Sequence, residues 1–382
     1  MAKHAILSAS GASRWLSCPP SARLEQNFEN TSSVFAQEGT LAHELGELKL
    51  RLNLKEITQR TYNSKLKKIK EHELYTEDMI DYVDMYVDTC MEKIAEAKNI
   101  SSDAVICLEQ RLDFSEWVPE GFGTGDMVII ADGSIEIVDL KYGKGVPVSA
   151  IGNKQMRLYA LGAINGFEFL YDLEKVKMTI VQPRLDSISS DEISVEELTF
   201  WADSVLRPTA QLAFDGKGEF AAGDHCGFCR ARYTCKARAD KNMELAKYDF
   251  QDPNILDNDA IADILGKSDE LIKWAKDIQD YALDQAVNNG VKFNGFKIVE
   301  GRSNRKWTDE DTIGKILIEQ GFVESIIYTK KLTGISNMES ALGKKEVQRL
   351  LGDYIIKPQG KPTLVPESDK RPEFNSVEAD FK

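Results

Sequence analysis

The chain has 382 residues, of which 42% are hydrophobic and 29% charged, so it suits a globular protein of two domains, or one large domain with an appendage. The net charge of −14 argues against a protein coated in basic surface for nucleic acid, although it leaves room for a local basic channel. No apolar run approaches the roughly 20 residues that a membrane span needs, and no basic start precedes a long apolar block as in a secretory signal, so we expect a cytoplasmic protein without a membrane partner.

Helical patterns dominate the first hundred residues. Residues 10–50 are predicted to be helical, because leucines recur there on one face. Residues 51–75 are polar and locally basic, which favours a solvated linker between helices over direct contact of its lysines with DNA. Residues 76–98 are predicted to form a strongly amphipathic helix, because apolar side chains recur at three- and four-residue spacing.

The periodicity then changes to that of strands, and the pair Asp132-Gly133 is a strong signal for a two-residue hairpin turn. The predicted strands are 104–114, 125–132, 134–143 and 176–184, and the predicted helices among them are 149–165 and 194–214. This order, a helix, three antiparallel strands, a helix and a further strand, predicts an α/β fold in which helices flank a mixed sheet.

The last third of the chain has a mainly helical pattern. A long helix is predicted over 258–289, a strand over 296–307, and a helix that begins after a Thr308 N-cap. We expect one domain over 1–245, with a helical insertion at about 50–100, and an α+β accessory domain over 255–365. The final segment, 366–382, is predicted to be a loose tail.

Two carboxylates and an ammonium group are predicted to meet at one end of the hairpin. Asp126 and Asp139 stand equally far from the turn, so they come roughly opposite each other on the paired strands. Lys141 follows Asp139 by two residues and therefore points to the same face. Two carboxylates at one point repel each other unless a cation lies between them, and Mg²⁺ or Mn²⁺ suits such oxygen ligands.

A cation at this position can polarise a phosphoryl oxygen and lower the pKa of a bound water. Lys141 can orient that water or stabilise charge that develops on a phosphate. A surface ion pair at a sheet edge is the alternative interpretation. His43, on a predicted helix, can equally be an ordinary core residue, and Gln155 with Tyr159 can be a plain pair one helical turn apart.

Four short motifs in order carry a resemblance to a known family. G-x-x-x-H at 39–43, G-x-x-D at 123–126, D-x-K at 139–141 and Q-x-x-x-Y at 155–159 resemble the motifs of RecB-like nucleases in the PD-(D/E)xK superfamily. The resemblance covers roughly residues 10–240 and implies the restriction-endonuclease-like core of that superfamily. The proline in the superfamily name is replaced here by Gly125.

The resemblance implies roles for individual residues. The Mg²⁺ or Mn²⁺ ligands would be His43, Asp126 and Asp139, with Leu140 lending its carbonyl. The catalytic residues would be Asp126, Asp139, Lys141, Gln155 and Tyr159, of which the last two line the DNA side of the site. Glu109, on the preceding strand, is a further acid for which a cross-strand ion pair is the favoured interpretation.

Three cysteines lie close together at Cys226, Cys229 and Cys235, a spacing that in a reducing compartment indicates zinc or an iron–sulfur cluster. Cys18 lies in a loop near the chain start, whereas the remaining two cysteines, Cys90 and Cys107, look like buried packing residues. One distant N-terminal cysteine with C-x2-C-x5-C resembles a RecB-like subgroup that carries a [4Fe–4S] cluster and includes the AddB nuclease domain and CRISPR-associated iron–sulfur nucleases. The resemblance implies a cluster held by Cys18, Cys226, Cys229 and Cys235, with Zn²⁺ as the alternative.

Two groups of basic and aromatic residues are candidates for DNA contact, although solvated surface is the plainer interpretation of both. They are Arg230, Arg232 and Tyr233 beside the cysteines, and Arg302, Arg305 and Lys306 near the C-terminus. The whole chain resembles an uncharacterised family of phages and prophages, which implies phage replication or recombination proteins as partners. The sequence thus predicts a metal-dependent DNA nuclease, with an exonuclease that acts on single-stranded or end-bearing DNA as the favoured form. The alternatives are a non-catalytic DNA- or protein-binding module on a nuclease fold and a zinc-stabilised scaffold.

Overall fold

A computed structural model describes residues 5–29, 33–168, 171–245, 256–299, 309–328 and 332–356. Contacts divide the chain into two compact units, Met1–Ala282 and Leu283–Lys382. This boundary differs from the one predicted at 245–255, because most of a long helix that follows 255 belongs to the first unit. None of the helices in the described part of the chain combines the length and the apolar character that crossing a bilayer requires.

The first unit is built on a five-stranded mixed sheet whose spatial order follows the chain. Its strands are β1 (Val105–Asp113), β2 (Phe122–Ala131), β3 (Gly133–Leu140), β4 (Leu173–Gln182) and β5 (Ser187–Ser194). The first three strands are antiparallel, β4 runs parallel to β3, and β5 is antiparallel to β4. The parallel step needs a helical crossover, which accounts for the helix between β3 and β4.

Helices cover both faces of the sheet. Those of the first unit are α1 (Ala12–Ser17), α2 (Ser21–Leu24), α3 (Val34–Asn53), α4 (Gln59–Lys70), α5 (Asp78–Ile100), α6 (Lys154–Phe167), α7 (Val195–Trp201), α8 (Arg207–Asp215) and α9 (Lys236–Met243), with α10 (Asn258–Asn288) following. One apolar core joins the sheet to α6, α7 and α8, and a second joins the opposite face to α3, α4 and α5. The predicted α/β fold with a mixed sheet is confirmed.

The start of the chain is less continuous than predicted. Residues 10–50 form three helices instead of one helical stretch, since Cys18, Pro19 and Pro20 interrupt the pattern after α1. The prediction of a linker over 51–75 was wrong for the middle of that segment, which forms α4. Thr58 caps α4 by accepting a hydrogen bond from the backbone of Thr61, and Ile69 anchors the helix in the second core.

The second half of the sheet contains a strand that the sequence did not predict. β5 has the sequence SISSDEIS, in which only two residues are apolar, so it lacks the alternation that marks a strand. It lies at the sheet edge, where polar side chains are tolerated on both faces. The helix predicted over 194–214 is interrupted by a π-helical turn at Ala202–Leu206, directly before Pro208.

The helix predicted over 258–289 is confirmed as α10. The described helices that follow in the second unit are α11 (Glu310–Glu319), α12 (Glu324–Ile327), α13 (Ile335–Leu342) and α14 (Lys344–Leu351). Asp309, not Thr308, caps α11 by accepting a hydrogen bond from the backbone of Thr312. Residues 296–299 have no regular structure, contrary to the strand predicted there. The rest of that strand, Thr308 and the tail 366–382 lie outside the described residues.

Candidate metal and catalytic site

The β2–β3 hairpin brings the two predicted aspartates to its open end. Its register runs from Ala131↔Ser134 at the turn to Met127↔Val138, so Asp126 and Asp139 come next on their strands. Gly133 has a φ of +72°, which suits the tight turn that fixes this register. The position of both acids therefore follows from the turn, as the sequence predicts.

The carboxylate of Asp126 lies between a helix and the neighbouring strand. Its Oδ1 is 3.2 Å from Nδ1 of His43, a residue of α3. Its Oδ2 accepts a hydrogen bond from the backbone N–H of Leu140 at 2.7 Å. This second contact ties the end of β2 to the end of β3, while the predicted role of the Leu140 carbonyl stays a prediction.

His43 occupies a strongly electronegative position. Burial alone would lower its pKa, but the charge of Asp126, its hydrogen bond and the charge of Asp139 together raise the pKa of His43 to about 9. The carboxylates of Asp126 and Asp139 on the sheet therefore hold the imidazole of His43 in place. Helix α3 positions it because Leu41 and Leu45 anchor that helix in the second core.

Asp139 is the buried member of the pair, with 2% of its surface exposed. Burial raises the pKa of its carboxyl, and the charge of Asp126 adds to this, while Lys141 opposes it. Nζ of Lys141 lies 2.8 Å from Oδ2 of Asp139. The ammonium is thus the partner of this buried carboxylate and partly neutralises its charge.

Helix α6 supplies the other two predicted residues. Nζ of Lys141 donates to Oε1 of Gln155 at 2.9 Å, and Nε2 of Gln155 donates to the hydroxyl of Tyr159 at 3.0 Å. Burial raises the pKa of Tyr159 well above its usual value, so this hydroxyl stays protonated. The D-x-K and Q-x-x-x-Y motifs thus form one connected chain of side chains from Asp139 to Tyr159.

Glu109 is the residue whose place the sequence did not predict. A ligand atom from each of His43, Glu109 and Asp126 lies within 4.8 Å of the other two. The cross-strand ion pair expected for Glu109 does not form, because the residue opposite it on β2 is another acid, Asp126. Although Glu109 is exposed at the surface, loss of solvent around its carboxylate, with the charges of Asp126 and Glu47, raises its pKa to about 7.

The backbone explains how Glu109 reaches this place. The register passes from Leu108↔Met127 to Gln110↔Gly125, so Glu109 and Asp126 stand opposite each other. Glu109 has a φ of +50°, in the left-handed region that residues other than glycine rarely adopt.

Along β2, the alternation of side chains between the two faces of the sheet reverses at Asp126, which stands opposite Glu109. Met127 packs in the core with α3 and α5, whereas a side chain at Gly125 would meet Leu112 in the core with α6. Positions 125 and 127 have the same parity and should share a face in a regular strand. Because of this reversal, the side chains of Glu109 and Asp126 pack in neither core and lie at the site.

The donor set fits a hard divalent cation. The residues present are three carboxylates and one imidazole, which are ligands that Mg²⁺ and Mn²⁺ accept. One of these acids, Asp139, pairs with Lys141 at 2.8 Å. Like-charged acids this close are disfavoured without a counter-ion. The structure therefore brings His43 and Asp126 together with Glu109, while the predicted ligand set with Asp139 and the Leu140 carbonyl stays a prediction.

The four predicted cluster cysteines occur where α1 meets the loop of residues 224–235. Cys18 ends α1 and its thiol hydrogen-bonds the side chain of His225, which raises the pKa of that histidine. Cys226 and Cys229 are buried, and Cys235 is partly buried. The Gly223 N–H donates to Sγ of Cys226 at 3.4 Å.

The sulfurs are not arranged as a compact zinc site. Zn–S bonds of about 2.3 Å in a tetrahedron place sulfurs about 3.8 Å apart. Among the described residues, however, the one group of three or more ligands within 4.8 Å of one another is that of His43, Glu109 and Asp126. The iron–sulfur cluster that the resemblance implies stays a prediction.

The basic residues near the cysteines have internal partners. The backbone N–H of Arg230 and its guanidinium both face the buried Glu25, at 2.7 and 3.9 Å. Nε of Arg232 lies 3.6 Å from Asp277, and the ring of Tyr233 stacks on Tyr281 with centroids 5.5 Å apart. DNA contact by these residues stays a prediction. Arg302, Arg305 and Lys306 lie outside the described residues.

Two comparisons bear on the chain as a whole. A solved protein described as "Crystal structure of SSO0001" is similar to it at 18% identity, over 50% of this chain and 95% of the other, with a TM-score of 0.22. A family model described as "Protein of unknown function (DUF2800)" matches residues 4–372, which is nearly the whole length. The chain therefore belongs to the DUF2800 family.

Proposed function

We propose that this protein is a Mg²⁺- or Mn²⁺-dependent DNA nuclease, in the form of an exonuclease that acts on single-stranded or end-bearing DNA. Two pairs at the open end of the hairpin carry the proposal: Asp126 lies 3.2 Å from His43, and Asp139 lies 2.8 Å from Lys141. Lys141 is itself tied to Gln155. The order of one helix, three antiparallel strands, a crossover helix and a parallel strand supports a PD-(D/E)xK core.

The residues that would hold the cation are His43, Asp126, Asp139 and the carbonyl of Leu140. When bound, the cation would polarise a phosphoryl oxygen and lower the pKa of a water molecule. Asp139 is buried and Asp126 is nearly so, which keeps bulk water from screening their charge. Both carboxylates are also fixed by the hairpin, so little reorganisation is needed when a ligand arrives.

Lys141 is the residue proposed to act on the phosphate. Its ammonium lies at the edge of the buried acids, with 25% of its side chain exposed, so a substrate can reach it. In this position it can orient the attacking water and stabilise negative charge on the phosphoryl oxygens. Gln155 holds the ammonium from the side of α6, and Tyr159 holds Gln155 in turn. These two residues position Lys141 and border the path of the DNA strand.

We also propose that Cys18, Cys226, Cys229 and Cys235 hold a [4Fe–4S] cluster, with Zn²⁺ as the alternative. The cluster would connect the first helix to the end of the nuclease domain across a loop of about 200 residues, where a cross-link restricts the unfolded chain strongly. Neighbouring contacts already join the same two segments. Nη1 of Arg14 donates to the Phe228 carbonyl at 3.2 Å, and the Arg230 N–H donates to Glu25.

The direct test is DNA cleavage by protein purified without oxygen. End-labelled single- and double-stranded DNA would be incubated with Mn²⁺ and the wild type, Asp139→Ala or Lys141→Ala. We expect shortening of labelled strands by the wild type and its loss in both variants. Intact DNA with all three proteins would reject the enzyme and leave a non-catalytic binding module. Phage replication and recombination proteins are the partners that this activity would serve.

A further inference from the structure

Two basic side chains at the start of α6 converge on one aromatic ring. Nζ of Lys154 lies 5.3 Å from the centre of the Trp201 ring, and Cζ of Arg157 lies 5.2 Å from the same centre. Trp201 is the last residue of α7 and packs, partly buried, against the core that contains α6. The ring therefore holds two cations of one helix close to each other, at a spacing of three residues that places like charges side by side.

Neither cation has an acidic partner among the described residues. Nε of Arg157 is buried and makes no hydrogen bond there. Burial lowers the pKa of Lys154, and the positive charge of Arg157 lowers it further. Arg51 and Arg184, which are also half-buried, each pair with a glutamate, at 2.7 and 2.9 Å.

The missing acid is informative because acids are plentiful in this chain. The sequence contains 62 aspartates and glutamates against 48 lysines and arginines. Two neighbouring cations that repel each other, with one buried N–H left without an acceptor, leave a requirement for negative charge at this place. We therefore looked for an anion that could reach them.

The two cations lie beside the proposed catalytic end of the sheet. Lys154 directly precedes Gln155, whose Oε1 accepts a hydrogen bond from Lys141 at 2.9 Å. Successive residues of a helix point about 100° apart, so Gln155 reaches the end of β3 while Lys154 reaches α7. The side chain of Asn153 caps the helix and fixes this first turn. An extended anion at Lys141 can therefore follow the start of α6 to the two cations.

We propose that Lys154, Arg157 and Trp201 bind a backbone phosphate of a single DNA strand, outside the site that cleaves it. A guanidinium group binds phosphate through paired N–H donors, and an ammonium group adds a second positive charge. This inference rests on the proposed nuclease function for the choice of ligand and adds a substrate contact to it.

The aromatic residues favour a strand over a free phosphate ion. Surfaces that hold single strands combine cations for the backbone with rings on which bases stack. Phe200, next to Trp201 on α7, has 72% of its surface exposed, so a second ring is accessible close to the cations. A small inorganic ion would make no use of such a ring.

The test measures how a fluorescently labelled oligothymidylate binds to the full chain, by anisotropy at several salt concentrations and without divalent cations. We expect the double variant Lys154→Gln with Arg157→Gln to bind about 10- to 100-fold more weakly than the wild type. The slope of log affinity against log salt should fall by about 0.7, the amount for one phosphate of a single strand. Arg157→Lys keeps the charge and should keep the slope of the wild type.

The matched control is Lys175→Gln. It removes the same charge from an exposed lysine that pairs with Glu192 at 3.3 Å. We expect its affinity to stay within about twofold of the wild type, because exposed charges with a partner contribute little. Melting temperatures would be compared for all variants, and those of α6 should change little because glutamine is a good helix former.

Four results would overturn the proposal. They are no binding by the wild type, unchanged affinity and slope in the double variant, an equal loss in Lys175→Gln, and inorganic phosphate that binds the two cations as tightly as the strand does. If the wild type cleaves DNA and the double variant binds and cleaves equally well, the nuclease proposal stands and only this inference fails. If the wild type binds the strand through these cations but cleaves nothing, the proposed function fails and this inference stands.

Discussion

The ammonium of Lys141 lies 2.8 Å from the carboxylate oxygen Oδ2 of Asp139, two residues earlier on the same strand. The two side chains share a face because β3 is extended up to Leu140. The same ammonium donates to Gln155 on α6, so its position is set by the sheet and by the crossover helix together. Any change that moves α6 relative to β3 should therefore affect Lys141 before it affects the acids.

Gln155→Leu should lower cleavage with little change in folding. The substitution keeps the size of the side chain and removes the acceptor that holds Lys141. We expect kcat to fall by about 10- to 100-fold, because small displacements of a catalytic group cost about that much, while KM stays nearly constant. Steady-state cleavage and the melting temperature would measure both effects.

Tyr159→Phe is the matched variant for this prediction. It removes only the hydroxyl that receives the Gln155 amide and leaves the contact between Gln155 and Lys141 in place. Its loss of kcat should be clearly smaller than that of Gln155→Leu. Equal losses in the two variants would show that the contact with Lys141 is not what matters.

Gly162→Ala should destabilise the protein, although alanine is the better helix former. A Cβ at Gly162 would lie 2.8 Å from Cβ of Leu112 and 3.0 Å from its backbone carbon, so α6 must move away from β1. Overpacking of this kind costs about 1–3 kcal/mol. Chemical denaturation would measure the change in unfolding free energy, and cleavage should fall as well because α6 carries Gln155.

Gly166→Ala, one turn later on the same helix, is the control. Nothing lies within 4 Å of a Cβ at that position. The substitution should therefore stabilise the protein by about 0.4–1 kcal/mol through the lower entropy of the unfolded chain. A similar sign for both glycines would mean that the close approach of α6 to β1 is not as described.

Arg238→Met should loosen the contact between α9 and α10. Arg238 is 1% exposed, and its guanidinium binds Glu270 at 2.7 Å and Asp277 at 2.5 Å, both on α10. Methionine keeps the volume and removes both ion pairs. We expect a loss of up to about 3 kcal/mol, the low end for a broken buried pair, because both acids keep contact with water.

Hydrogen exchange would locate this effect, with faster exchange expected in the middle of α10, around Glu270 and Asp277. Arg349→Met provides the comparison, since Arg349 is exposed and pairs with Glu346 one turn away. That change should alter stability by less than about 0.5 kcal/mol. Equal effects at the two arginines would contradict a special role for the buried one.

Cys18→Ala should release iron from anaerobically purified protein and lower its melting temperature, because it removes one of four proposed ligands. Iron and acid-labile sulfide per chain would measure the loss. Cys90→Ala is the control: Cys90 is fully buried in the core of α5, so its replacement should cost packing energy and leave iron unchanged. Iron content that is unaffected by Cys18→Ala would reject the ligand assignment.

The hairpin was predictable because its turn signal fixes the register residue by residue. Asp132-Gly133 specifies a two-residue connection, and Asp126 and Asp139 follow from counting along both strands. The contact between Gln155 and Tyr159 was predictable in the same way, from the helical period. Local rules therefore account for most of the D-x-K and Q-x-x-x-Y part of the site.

The remaining parts depend on tertiary packing or on exceptions to a regular period. The ion pair favoured for Glu109 was wrong, because a left-handed backbone that no strand pattern predicts places this residue opposite Asp126 and near His43. β5 was missed because an edge strand needs few apolar residues. The approach of His43 to Asp126 follows from how α3 packs on the sheet, which no local pattern specifies.

The measurement that tests the central claim most directly is anomalous scattering from Mn²⁺ in crystals of the full chain. We predict a peak about 2 Å from carboxylate oxygens of both Asp126 and Asp139, with Lys141 beside it. A map without a peak at Asp126, or with manganese bound only elsewhere, would contradict the account.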